Sequence, residues 1–217
     1  MDMNLFDKMK RIYIIPIFSS GKRFSLALFF GAIINLIYIA VNIASVIMYS
    51  SLLSATLTLY HLMLIIMRIY ILSSARSSLN DRQVSRVCLR IGVLMLMLGG
   101  ASAVIILYTV SLGKFVSYSG VLFLGFLVYA AYSVTSSLLN MRRHASENNY
   151  LYYAARNITL STALMSVFNL QYSFFAYLGT DSGLASRAIL MGGIFVFSMI
   201  LALSIRLIKR SRRLYRG

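Results

Sequence analysis

Between Phe24 and Met67 the chain runs for 44 residues without a charged side chain. As one helix this run would be about 66 Å long at 1.5 Å per residue, roughly twice the ~30 Å of a bilayer core. A cleavable signal has a core of only about 7–15 residues, so the run is not one. It predicts a hairpin of two membrane spans. The turn is expected at Tyr49-Ser50-Ser51, which with Ser54 forms the polar cluster in the middle of the run.

Charged residues delimit four further spans, at 91–112, 118–140, 157–180 and 188–206. Each is near the ~20 residues that a spanning helix needs. The expected fold is therefore all-α, an integral membrane bundle of six transmembrane helices. Residues 1–23 form a basic, interfacial N-terminal segment, residues 24–208 the membrane domain, and residues 209–217 a basic tail. Within the first segment, 6–18 interleaves Lys8, Lys10 and Arg11 with apolar residues, as a short interfacial helix on anionic lipid does.

Of 217 residues, 59% are apolar and 12% charged, and the net charge is +16. In a soluble protein such a charge would point to nucleic acid. Here the basic residues sit between apolar spans, which points to orientation instead and excludes a nucleic-acid partner. Nineteen of the 21 Lys and Arg residues fall in the tails and in the second and fourth loops with their flanks. Only Lys114 and Arg187 fall on the opposite side. This asymmetry predicts both termini in the cytoplasm, with anionic lipids as partners at that face.

The polar residues within the spans follow helical periodicity. Asn35, Tyr38, Asn42, Ser45 and Tyr49 share a face of the first span, and Ser54, Thr58, His61 and Arg68 a face of the second. Tyr129, Tyr132, Ser133, Ser136 and Asn140 do so in the fourth, and Thr162, Ser166, Asn169 and Ser173 in the fifth. Intramembrane polar groups usually face a bundle interior or a cavity. These four stripes predict a polar cavity, with Asn35, Tyr38, Asn42, His61, Arg68, Tyr129, Ser133 and Asn169 as its candidate residues. His61 is expected at the floor, donating a hydrogen bond to the ligand, and Arg68 nearer the cytoplasmic mouth. Hydrogen bonding between helices accounts better for any individual Ser or Thr residue, and equally well for Asn35 and Asn42 together.

All five acidic residues, Asp2, Asp7, Asp81, Glu147 and Asp181, fall in loops or tails. Carboxylate-coupled cation transport thus has no candidate, and a transported solute is expected to be neutral or anionic. There is no HExxH or GxSxG motif, and the lone Cys88 lies at the mouth of the third span, away from His61 at mid-membrane. No catalytic residue, cofactor or metal is expected. Small residues at Gly99/Ala103 and Ala188/Gly192 instead allow close helix approach. They support a rival reading, a non-catalytic membrane subunit packed against a partner or a second copy of itself. An interior cavity would favour transport; a packed interior with an outer small-residue groove would favour the subunit.

Two features suggest a duplicated chain. Ile37–Ser45 aligns with Val128–Ser136, matching Tyr38 to Tyr129, and the diglycines Gly99-Gly100 and Gly192-Gly193 recur at nearly the same offset. A repeat of three spans must invert across the membrane, giving a 3+3 inverted repeat. Finally, Leu36-Ile37-Tyr38-Ile39-Ala40-Val41-Asn42 and Tyr60-His61-Leu62-Met63-Leu64-Ile65-Ile66-Met67-Arg68 resemble one half of an uncharacterised family of small six-span membrane proteins of Gram-positive gut bacteria. Ala155-Arg156-Asn157-Ile158 and the stretch 164–171 resemble its fifth span. The resemblance implies a bacterial cytoplasmic membrane and no activity. His61 stands where that family is expected to carry a second tyrosine.

Overall fold

The computed structural model of the chain describes residues 20–76, 79–111, 118–143, 150–179 and 182–216. The expected interfacial helix at 6–18, and Asp2, Asp7, Glu147 and Asp181, lie outside them. The described residues form six helices and no strand: α1 (Ser20–Tyr49), α2 (Leu52–Arg76), α3 (Asp81–Ser111), α4 (Gly120–Arg143), α5 (Tyr150–Leu178) and α6 (Ser182–Arg216).

The turn between α1 and α2 falls at Ser50 and Ser51, within the expected cluster. Ser50 adopts φ 50° and its N–H donates to Val46 O at 2.8 Å, closing the end of α1 with a left-handed cap. Only glycine takes that conformation without steric cost. Ser50→Gly is therefore expected to stabilise the protein by about 1 kcal/mol, and Ser50→Val to destabilise it. Thermal unfolding of the detergent-purified protein checks both signs.

From this turn the hairpin runs in strict register. Ser45 bonds Ser54 at 2.9 Å, the Tyr38 ring meets His61 with centroids 4.5 Å apart, and Gly31 faces Arg68. Successive pairs are two helical turns apart, so one polar seam runs the length of the hairpin. Gly31 leaves room at its far end for the Arg68 guanidinium, which a Cβ there would displace.

The most extensive helix pairing joins α3 to α6. It is antiparallel: Ser85 bonds Ser211 near one end, and Gly193 packs on Ile106 near the other. Glycines permit the approach. A Cβ on Gly99 would lie 3.1 Å from Ile200, and one on Gly193 2.8 Å from Ile106. Gly192 turns instead toward Gln171 of α5, whose Nε2 donates to Ala188 O at 2.8 Å. Gly99 is thus occupied within the bundle, whereas Gly192 also borders a groove of about 230 Å³ between α4, α5 and α6.

α5 touches all five other helices and buries both apolar and polar residues around much of its circumference, including Asn157, Ser161, Thr162, Ser166 and Asn169. The other five are long and apolar enough to cross a membrane. A helix enclosed by five others meets side chains instead of lipid, so its surface need not be apolar. The helices also outrun the expected spans at the basic end of the bundle. α3 begins at Asp81 instead of Ile91, and α6 continues through Lys209 to Arg216, the residues assigned to a separate tail. Hydropathy finds the part of a helix suited to hydrocarbon, whereas backbone hydrogen bonding continues beyond it. Interhelical contacts hold these extensions: the mutual Ser85–Ser211 bonds, and Arg210 over the Tyr153 ring at 4.5 Å.

Candidate functional site

Three polar layers stack along the axis enclosed by α1, α2, α4 and α5. At the turn end, the hydroxyls of Ser51 and Ser54 each lie 3.1 Å from the Tyr118 hydroxyl, with Ser45 bonded to Ser54. Tyr118 starts the segment leading into α4 and crosses to the α1–α2 turn, a contact that periodicity within helices does not encode.

The middle layer is aromatic. Tyr38 is 2% exposed and stacks on Tyr129 with centroids 3.7 Å apart and planes 13° from parallel. Phe126 packs edge-on at 6.0 Å and His61 closes the side of the stack. Polar groups fix the rings in place: Tyr129 donates to Asn35 Oδ1 at 2.7 Å, and Asn169 Nδ2 donates to the Tyr38 hydroxyl at 2.5 Å. Asn42 Nδ2 donates to Tyr38 O, one turn back in α1.

Toward the basic end the interior opens into a cavity of about 250 Å³. α1 contributes Ala27, Phe30, Gly31 and Asn35. α4 contributes Tyr129, Tyr132, Ser133, Ser136, Leu139 and Asn140. Arg68 reaches in from α2, and Thr159 and Thr162 from α5. A recess of about 30 Å³ shares Ala27, Arg68, Asn140 and Thr159 with this cavity and adds Arg156.

Arg68 sets the electrostatics. It is 5% exposed. Its Nη2 donates to Thr162 Oγ1 at 3.2 Å, and its Nε has no partner among the described residues. The described residues include one carboxylate, Asp81, at the start of α3. Guanidinium stays protonated in proteins, and a buried cation is favourable only when paired and hydrogen-bonded. The cavity thus carries a positive charge, with Thr159, Thr162, Ser133 and Asn140 among its lining residues.

Of the residues singled out in the sequence, Asn35, Arg68, Tyr129 and Ser133 line the cavity, while Tyr38, Asn42, His61 and Asn169 lie one layer behind it. His61 does not stand at the cavity floor. Its Nδ1 lies 2.8 Å from Leu57 O; a carbonyl only accepts, so that nitrogen carries the proton, and in the neutral ring it is the one N–H available. It has no donor left for a ligand. The Tyr129 ring occupies the floor instead. Arg156 and Gly31 were not singled out as site residues. Arg156 counts as a loop charge when only hydropathy is read, and Gly31 becomes informative once its register against Arg68 is known.

This fold and site define a class: an apolar, all-helical bundle compatible with a multi-pass membrane protein, carrying a polar internal cavity. No protein-family model, curated protein or solved structure matches the chain.

Proposed function

We propose that this chain is a six-span protein of a bacterial cytoplasmic membrane, with both termini inside, that binds an anionic solute at Arg68 and carries it across. The observation behind this reading is the buried Arg68 guanidinium facing a cavity without a carboxylate partner among the described residues. The three layers supply a route. The cavity opens toward the basic end, the Tyr38–Tyr129 stack bars its floor, and the hydroxyls of Ser51, Ser54 and Tyr118 lie beyond the bar. An anion waiting below the stack would pass when the two tyrosines part, the logic of alternating access.

Helix pairing supports an inverted 3+3 repeat. Each helix of the first half touches its counterpart in the second, α1 with α4, α2 with α5 and α3 with α6. Tyr38 and Tyr129, matched in the internal alignment, stack on each other, as equivalent residues do where a two-fold axis passes. In this arrangement α5 is a span like the other five, screened from lipid by its neighbours, and the nineteen-to-two basic asymmetry sets the orientation.

Two measurements test the reading. A reporter active only in the cytoplasm, fused after Ser146, is expected to work, and the same reporter fused after Ser51 to stay silent; the reverse pattern overturns the topology. Proteoliposomes loaded with glycerol phosphate are expected to release it, and Arg68→Gln to reduce release about tenfold or more, the loss of one charge-assisted contact. Equal release from wild type and variant would sink anion transport through this cavity.

A further inference from the structure

The side walls of the cavity narrow its ligand class. α1 and α4 meet at Asn35–Tyr129 and Tyr38–Tyr129, and near the turn Ser119, one residue before α4, donates to the Tyr49 hydroxyl. Toward the basic end the cavity lies between them, with Ala27 and Phe30 on one wall and Tyr132 and Leu139 on the other. These four are exposed on the outer surface of the bundle as well; Phe30 is 57% exposed and Leu139 44%. Residues that line an interior and also face outward mark a mouth, and this one opens sideways between two helices.

Its depth decides what it meets. Phe30 lies seven residues into the helix from Arg23, about 10 Å at 1.5 Å per residue, and Tyr132 lies eleven residues from Arg143, about 16 Å. Basic residues at helix ends sit at the headgroup level. Ala27 and Leu139 lie only four residues from the same ends, so the mouth runs from the headgroup level down among the acyl chains. A hydrated ion would reach the cavity from its basic end, whereas an alkyl chain would find the apolar Phe30 and Leu139 at this side mouth. Inside, the chemistry reverses to Arg68, Thr159, Thr162 and Asn140, with Arg156 across the adjoining recess.

Resting on the proposed anion site, we infer that its occupant is an anionic amphiphile. The phosphate or carboxylate pairs with Arg68, and the chain leaves between α1 and α4 into the bilayer. The ligand enters laterally from the leaflet on the basic side. An acyl-chain anion of this kind comes either from a membrane phospholipid or from a single-chain amphiphile, and both present the same pairing of charge and tail.

Native mass spectrometry of the full-length protein, released from detergent micelles, separates the possibilities. The probes are dioleoyl phosphatidylglycerol, oleate, dioleoyl phosphatidylcholine and glycerol phosphate. Retention of phosphatidylglycerol or oleate is expected to exceed that of phosphatidylcholine by about tenfold, as one charge-assisted contact gives. Whichever of the two is held more tightly identifies the source. Arg68→Gln is expected to abolish the preference and Arg68→Lys to keep part of it. Ala27→Trp, which fills the mouth beside Arg68, is expected to reduce amphiphile retention far more than that of glycerol phosphate, whereas equal losses of both would place the chain elsewhere. If glycerol phosphate binds in an Arg68-dependent way but neither amphiphile is preferred over phosphatidylcholine, the amphiphile inference is wrong and the anion site stands. If no probe depends on Arg68 in a variant that retains its helical circular dichroism, both fail.

Discussion

Replacing Arg68 with methionine is expected to make the ligand-free protein more stable while removing its response to anions. An interior guanidinium that keeps one hydrogen bond, to Thr162, and has no carboxylate beside it among the described residues loses hydration without full compensation. Methionine keeps much of the length of the side chain and adapts to irregular space. Apolar replacement of buried ionic groups of this sort is worth about 1–4 kcal/mol in favourable cases, and the low end is expected here because Arg68 borders a cavity. Thermal unfolding by circular dichroism, with and without phosphate, reads both effects. The wild type should gain stability on adding phosphate, and Arg68→Met should start higher and not move. A variant that melts lower than wild type would mean that Arg68 is a structural cross-link to Thr162, and the site argument would lose its charge. The sign is the informative part: a buried charge that lowers stability is not there to hold the fold together.

Tyr38→Ala is the second large effect. Its ring touches Tyr129, His61 and Phe126, and its hydroxyl accepts from Asn169. Truncating a buried aromatic residue to alanine costs about 3–5 kcal/mol, and the orphaned Asn169 amide adds to this. The same cut removes half of the bar between the cavity and the hydroxyl layer. Proteoliposomes bearing Tyr38→Ala are expected to leak glycerol phosphate continuously, whereas Tyr38→Phe keeps the ring, forfeits the Asn169 bond at about 1 kcal/mol, and stays tight. A destabilised Tyr38→Ala protein without leak would place the barrier elsewhere.

How far the sequence reaches is clearest along α1 and α2. The uncharged run forces a hairpin, the serines mark its turn, and helical spacing turns Asn35, Tyr38, Asn42 and Ser45 to one buried face. Spacing does not reveal depth relative to neighbours. His61 and Arg68 share a face seven residues apart, yet one is sealed under the tyrosine rings and the other faces open space, because α1 and α4 converge at one level and part at the next. That convergence is a property of four helices together and leaves no mark in any one of them. α5 illustrates a second limit. Hydropathy responds to what a helix would show to lipid, and this helix shows little of itself. Its polarity marks its central position, which becomes legible when its five contacts are known. The glycines carry a similar ambiguity: a small residue permits approach by something, and whether that is a partner protein or Ile200 of the same chain is decided by where α6 lies.

The central placement of α5 has a consequence for how the molecule is made. In the six-span arrangement four helices have already left the ribosome when α5 emerges, and it is the least suited of the six to meet lipid alone. Asn157, Ser161 and Asn169 would each face hydrocarbon without a partner from another helix, a penalty that acts against release into the bilayer. The earlier helices must therefore wait at the insertion site as a receptive cleft, and α6, which binds both α3 and α5, shuts that cleft from the remaining side. Biogenesis on this account ends in a single late closure, and a chain truncated before Ser182 would leave the ribosome with the helix least suited to lipid still partly uncovered and exposed to quality-control proteolysis.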